Sequence, residues 1–240
     1  MKLLVVADIH YSLKQYDWLI TRASHFDCLV IAGDLLDLGG GLDRDVQAVA
    51  VSQYLAKLSK LTKVLVCSGN HDGNWKNRYN ELEARWLQKA RYDGVQVDGD
   101  SLKMGDNLIS IYPWWGGEVA QKKLSEQMAI DAKRPRDKWI WIYHRPPSES
   151  PVSWSGKHDW GEAFIRNCID VYSPDIVFSG HVHQSPFVID GAWNDQIGKT
   201  WVFNTGREPG YLPTHMIFDT ESESITWFCS DDQDTISLSV

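Results

Sequence analysis

The run Lys63-Val64-Leu65-Val66-Cys67-Ser68-Gly69-Asn70-His71-Asp72 decides how the chain is read. Its first half is apolar and reads as a buried strand. The strand stops at Gly69 and hands Asn70, His71 and Asp72 to whatever lies beyond its carboxyl end. One such run is an ordinary strand and turn. The chain repeats the arrangement in Val5-Val6-Ala7-Asp8-Ile9-His10, Leu29-Val30-Ile31-Ala32-Gly33-Asp34, Trp139-Ile140-Trp141-Ile142-Tyr143-His144 and Ile176-Val177-Phe178-Ser179-Gly180-His181-Val182-His183. Apolar runs that all end in Asp, Asn or His imply strand ends that share one polar site.

Outward from this run, residues 2–8 and 28–34 read as further strands and residues 12–25 as a short helix. Residues 43–60 make a clearer helix, with Asp43 or Asp45 as N-cap and Val46, Val49, Ala50, Tyr54, Leu55 and Leu58 at helical spacing. Residues 79–91 read as another helix with Leu82, Trp86 and Leu87 inward. The order β-α-β-α-β-α favours parallel strands with ligands at their carboxyl ends. Beyond it, 95–97 and 108–112 read as short strands, 118–133 as a helix and 138–144 as a strong strand. Residues 145–158 are loop by composition, 159–172 helix and 175–179 strand. Short strands follow from residue 187, at 199–204, 215–219 and 225–229, and the acidic stretch 230–234 is expected to fray. No repeat or long linker divides the sequence, so residues 1–240 are expected to form one domain.

Hydrophobic residues make up 43% of the 240 and charged residues 23%, the balance of a folded globular chain rather than a disordered one. No apolar run reaches the length of a membrane helix. The apolar start flows within a few residues into Asp8, so it reads as the first strand and not as a signal peptide. A net charge of −8 argues against a broad electrostatic hold on nucleic acid or an anionic membrane. The strongest basic run, Lys133-Arg134-Pro135-Arg136, is short. Nucleic acid is thus disfavoured rather than excluded, and a phosphate-bearing substrate stays open because divalent metals would reverse the local field. Cys28, Cys67, Cys168 and Cys229 form no CxxC pair, and three of them sit in or beside apolar runs as core thiols do, which fits a cytoplasmic protein. Among the 12 Trp residues, Trp75, Trp114, Trp115 and Trp154 fall in loop-like surroundings and are candidates for lining a cleft.

The polar strand ends collect Asp8, His10, Asp34, Asn70, His71, His144, His181 and His183. Oxygen and imidazole donors of this kind suit Mn, Fe, Zn or Ni. In extended backbone, residues two apart face the same side, which pairs Asp8 with His10 and His181 with His183. The supply of donors is too large for one ion that must keep a position open for water. Two metals are expected.

The order Asp8-Ile9-His10, Gly33-Asp34-Leu35-Leu36-Asp37, Gly69-Asn70-His71-Asp72, a lone His144 and Gly180-His181-Val182-His183 resembles the calcineurin-like metallophosphoesterases. The resemblance implies a four-layer αββα sandwich of two mixed sheets flanked by helices. It implies Asp8, His10 and His183 on a first divalent ion, Asn70, His144 and His181 on a second, and Asp34 bridging them. Manganese is the foremost expectation, with Fe, Zn or Ni as alternatives. A hydroxide shared by the ions would attack phosphorus, and His71, helped by Asp72, would protonate the leaving oxygen. The implied activity is hydrolysis of a small phosphate ester, a phosphodiesterase or nucleotide-type phosphatase before a protein phosphatase. A non-catalytic metal-binding scaffold of the same fold is the reading from another class. Asp37 reads as a turn cap or a partner of a ligand, and Arg145 and Arg207 as candidates for a phosphate oxygen. His25 and His215 read as structural, and His158 as a loop residue.

Overall fold

The computed structural model describes residues 1–238. The first half alternates β1 (Lys2–Val6), α1 (Leu13–Arg22), β2 (Cys28–Ala32), α2 (Arg44–Leu58) and β3 (Lys63–Cys67). A small hairpin, β4 (Trp75–Lys76) and β5 (Leu82–Glu83), and a short helix α3 (Arg85–Gln88) lead to β6 (Gln96–Val97). The second half holds β7 (Ser101–Met104), β8 (Asn107–Ile111), α4 (Glu118–Asp131), β9 (Trp139–Ile142), α5 (Ala163–Tyr172) and β10 (Ile176–Ser179). It closes with β11 (Asn194–Ile197), β12 (Thr200–Asn204), β13 (His215–Asp219), β14 (Ser224–Phe228) and β15 (Gln233–Ser237).

These strands make two mixed sheets, in the orders β15-β14-β13-β1-β2-β3-β6 and β11-β12-β10-β9-β8-β7. The pleat explains the layering. In β1, Leu3 and Val5 face the core between the sheets, while Leu4 and Val6 face the helices α1 and α2. In β9, Ile140 and Ile142 point between the sheets, and Trp139 and Trp141 point outward against Leu124 and Met128 of α4 and Ile165 of α5. Strands covered on both faces read as unbroken apolar runs, as the parallel centre of each sheet does. The expected αββα sandwich is the observed one. Its parallel strands β1, β2 and β3 share one direction, as do β8, β9, β10 and β12, so their carboxyl ends meet along one rim.

Three expectations need correction. Residues 79–91 are not one helix. Asn77 Oδ1 accepts from the Tyr79 and Glu81 N–H groups, and its Nδ2 donates to Glu83, so the side chain holds a turn and hairpin where a helix would start. In α2, capped by Asp43, the buried face is Gln47, Ala48, Val51, Leu55 and Leu58, and Val46 and Val49 face outward. Gln47 is drawn in because its amide closes the preceding loop on Asp37 and Leu42. The acidic stretch 230–234 does not fray. Its end enters β15, which pairs with β14, and Asp234 accepts from the Trp193 indole N–H at 2.9 Å.

Candidate metal centre

Every strand-end motif arrives at the common rim. Asp8 follows β1, Asp34 follows β2, Asn70 and His71 follow β3, His144 follows β9, and His181 and His183 follow β10. Asp8 and Asp34 are buried, and the loops are tied together: Asp8 N–H donates to Gly33 C=O and His10 N–H to Asp34 C=O. The backbone does not reach this convergence by the pleat. Asp8 (φ 54°), His10 (φ 44°), Asp34 (φ 52°) and His181 (φ 71°) all lie in the left-handed region. The shared direction of Asp8 and His10 comes from a turn, not from extended alternation.

Glycines make room for the crossing chains. Gly33 has φ 88°, and a Cβ there would overlap the His144 ring. A Cβ on Gly180 would overlap the Asp8 carboxylate. The Gly-Asp and Gly-His spellings therefore record close packing against a donor of a different strand.

The donor atoms fall into two groups. In the first, His10 Nε2 lies 2.9 Å from His183 Nε2, and Asp8 Oδ1 lies 3.3 Å from His183 Nε2 and 3.6 Å from His10 Nε2. In the second, Asn70 Oδ1 lies 2.9 Å from His181 Nδ1 and 3.2 Å from His144 Nε2. Asp34 Oδ2 belongs to both, 3.6 Å from His10 Nε2 and 3.2 Å from His144 Nε2. One ligand atom from each of Asp8, His10, Asp34 and His183 lies within 4.8 Å of the others, as does one from each of Asp34, His144 and His181. No Lys or Arg pairs with the carboxylate of Asp8 or Asp34 among the described residues. Two buried acids facing imidazoles, with no lysine or arginine beside them, fit a pair of divalent ions.

The electrostatics agree with that charge pattern. Burial works against ionisation of Asp8, yet His10, His183 and His144 hold it well below the usual carboxylate range. Burial works against ionisation of Asp34 too, but the charge and hydrogen bond of His144, together with His71, leave it lowered. Burial opposes the charged form of His144, but Asp34 and Asp8 raise it to about 9, and its Nδ1–H donates to Ala32 C=O at 2.7 Å, which leaves Nε2 facing the donors. Burial and the neighbouring His144 push His181 down to about 3.

His71 stands at the edge of both groups, its ring 4.4 Å from that of His10. Leu38 N–H donates to its Nδ1 at 3.1 Å, so the neutral ring carries its proton on Nε2, 3.8 Å from Asp34 Oδ2. Burial lowers its pKa, with Asp34 opposing. Asp72 was expected to assist His71 and makes no hydrogen bond to its ring. Its Oδ1 accepts from the Leu35 and Leu36 N–H groups, both at 2.9 Å, and its Oδ2 from Gly69 N–H at 2.8 Å. Burial and the charge of Asp34 push its carboxyl up to about 8. Asp72 thus clamps the Asp34 loop to the Asn70 loop, and a backbone N–H takes the orienting role. Spacing in a sequence carries no signal for such a backbone donor.

The remaining candidates divide. Asp37 caps its turn through Gly39 N–H, with a carboxylate oxygen within 4.8 Å of the His10 and His71 ring nitrogens. Arg145 anchors Nε on Trp160 C=O at 2.8 Å and lies 5.9 Å above the Trp114 ring. Arg207 donates from Nε to the backbone C=O of Asp8 at 2.9 Å. Trp114 is beside the donors, its ring 5.4 Å from that of His181. Trp115 packs on Phe164, Trp75 is exposed under Arg85, and Trp154 lines a separate cleft with Glu149 and Asp159. His215 is sandwiched between Trp18 and Phe228, and His25 and His158 are exposed. Asn204, at the end of β12 and outside the strand-end motifs, donates to Val152 C=O, Val182 C=O and Ser185 Oγ and so holds the loop carrying His181 and His183.

A search of curated proteins returned no match. Among solved structures, TT1561 of Thermus thermophilus is similar with TM-score 0.60 and 13% identity over 99% of both chains. GAP50, the anchor in the inner membrane complex of Plasmodium, is similar with TM-score 0.59 and 11% identity, over 100% of this chain and 89% of that one. Purple acid phosphatase PPD1 from yellow lupin (Lupinus luteus) seeds gives TM-score 0.58 and 15% identity over 99% of this chain and 53% of that one, so the chain spans about half of its length. At such identities these likenesses speak for the fold. The family is shown by sequence, for the Metallophos model, described as calcineurin-like phosphoesterase, matches residues 1–185 and so takes in every donor from Asp8 to His183. The chain belongs to the calcineurin-like phosphoesterase family.

Proposed function

We propose that the chain hydrolyses small phosphate esters at a two-metal centre, as a phosphodiesterase or nucleotide-type phosphatase. The observation that carries this reading is Asp34 Oδ2, the atom common to both donor groups, with His71 Nε2 turned toward it. Asp8, His10 and His183 would hold one divalent ion, Asn70, His144 and His181 the other, and Asp34 would serve both. Manganese is our first assignment, ahead of Fe, Zn and Ni. When bound, such a pair polarises a phosphoryl group and makes water a nucleophile near neutral pH.

The chain's own residues supply the rest. In its imidazolium form His71 gives its Nε2 proton to the departing alkoxide and is left as neutral imidazole; in the resting neutral ring Leu38 N–H donates to Nδ1, so the remaining proton sits on Nε2, facing the site. Asp72 keeps the Asp34 and His71 loops in register. No helix among the described residues is long and apolar enough to cross a membrane. The free cysteines suit a reducing compartment, and we place the protein in the cytoplasm. We take the chain as one domain, since both sheets contribute to a single inter-sheet core.

The test is the metal-stripped protein reloaded with Mn²⁺ and assayed on bis-p-nitrophenyl phosphate and p-nitrophenyl phosphate side by side. Turnover that disappears in Asp34→Ala supports the two-metal reading, and the preferred ester separates diesterase from monoesterase. Two bound ions with no turnover of either ester would favour the scaffold, and no bound metal would end the mechanism.

A further inference from the structure

Beside the donors lies a cavity of about 330 Å³. Trp114 belongs to both: its ring stands 5.4 Å from His181 and 5.8 Å from His144, and it also lines the cavity. Its backbone N–H donates at 3.1 Å to the hydroxyl of Ser68, two residues before Asn70. Ala84 and Leu124 extend the apolar wall, and Gln88, Gln127 and Asp98 bring polar atoms to it. Gln127 uses its Nε2 on Ser101 Oγ at 3.2 Å, which leaves its carbonyl oxygen to accept. Asp98 is 7% exposed, and its Oδ1 accepts from Ser68 N–H at 2.7 Å.

We propose that this cavity seats a flat nitrogen heterocycle, the base of a nucleoside whose esterified phosphate is held at the donor cluster. The proposal rests on the phosphoesterase reading above. An indole face favours a planar ring. A purely aliphatic group would bury the Gln127 carbonyl and the Asp98 carboxyl against atoms that cannot donate, whereas the N–H edge of a base pairs with them. The volume lies at the small end of ligand pockets, about 300–1,000 Å³, which suits one nucleoside better than a lipid or a peptide.

The test compares two diesters that release the same p-nitrophenolate, so that leaving-group chemistry cancels. Adenosine and thymidine 5′-(p-nitrophenyl phosphate) are set against methyl p-nitrophenyl phosphate, with Mn²⁺ present. Base–aromatic stacking corresponds to about five- to more than a hundredfold in binding, so kcat/KM is expected to be at least about tenfold higher for a nucleoside ester. Ala120→Trp, which puts an indole into the cavity, should cut that advantage to about twofold while leaving the methyl ester unchanged, and Gln127→Leu, which keeps the Trp114 indole and removes one acceptor, should lower it about two- to tenfold. A second readout needs no metal: saturation-transfer NMR should detect adenosine or thymidine on the wild-type protein and lose it in Ala120→Trp. Nucleoside binding of that kind without hydrolysis of any ester would fell the phosphoesterase reading and uphold the cavity assignment. Equal kcat/KM for the two kinds of ester in wild type, an advantage that survives Ala120→Trp, or no nucleoside binding by an inactive wild type would overturn it.

Discussion

Asp34→Asn is the sharpest single test of the donor geometry. Asp34 Oδ1 accepts from His71 N–H at 2.8 Å, while Oδ2 is the atom facing His144 and His10. An Asn that keeps the first bond must put its NH₂ where Oδ2 stands, a donor group with nothing to offer a cation. Both donor groups lose their shared atom together. Removing a mere hydrogen-bond partner of a ligand lowers metal affinity about 10–100-fold, so losing a shared ligand is taken as about 100-fold. Metal at 100 times its Kd stabilises a fold by about 2.7 kcal/mol, but by only about 0.4 kcal/mol once Kd has risen to the metal concentration. For a 240-residue chain, 1 kcal/mol moves Tm by about 2–4 °C. Wild type should therefore melt about 5–11 °C higher with Mn²⁺, and Asp34→Asn about 1 °C higher at the same concentration. Circular-dichroism melts over a Mn²⁺ series read this directly. A metal-induced shift in Asp34→Asn equal to that of wild type would refute the shared-donor reading.

His71→Asn should slow an alkyl ester about 10²–10⁴-fold and a p-nitrophenyl ester far less, because p-nitrophenolate departs without a proton; equal losses in kcat would remove the acid role. In the metal-free protein His144 is raised to about 9, so it holds a proton below that pH and releases it above. An ion that takes Nε2 must displace this proton, so calorimetry in buffers of different ionisation enthalpy at pH 7.5 should report about one proton released, and metal affinity should climb with pH up to about 9. Burial raises Asp98 to about 6 from 3.8, so the folded state holds a proton that the unfolded state gives up between those values. Its contribution is present below pH 4 and is lost as pH rises through 6, about 3 kcal/mol in all; urea titrations of metal-free protein should show Asp98→Asn losing less stability than wild type between pH 4 and 7. Asn204→Leu leaves Val152 C=O buried without its donor, while Val182 C=O keeps Ser185 N–H, and urea unfolding should show a loss of about 1–3 kcal/mol.

The αββα layering was legible because strands buried on both faces must be apolar throughout, and Leu29-Val30-Ile31 and Trp139-Ile140-Trp141-Ile142 can be little else. The donors were legible because each closes such a run. What escaped was held by groups with no spacing of their own. Asn77 ended an apparently helical stretch by side-chain hydrogen bonds, and Gln47 turned α2 away from the face its valines suggested. Leu38 orients His71 through a backbone N–H that any residue other than proline would supply. Asp72 sits next to His71 in sequence, yet its carboxylate points to Leu35, Leu36 and Gly69.

The left-handed backbone of Asp8, His10, Asp34 and His181 ties fold to chemistry. Each such non-glycine residue costs of order 1–3 kcal/mol and persists only where its surroundings over-determine it. Here they do. Asp8 is held from three sides, by Gly33 C=O on its N–H, by His181 N–H on its carboxylate at 2.9 Å, and by Arg207 on its carbonyl. None of these bonds needs a metal. The strain is therefore met by the protein's own hydrogen bonds, which fix the donor positions without calling on an ion. Held this way, two buried carboxylates with no lysine or arginine partner stand 3.6 Å from the same His10 nitrogen. A site built this way gains from its ions in affinity rather than in shape, so stripping the metal should lower stability while leaving the fold of the rim intact.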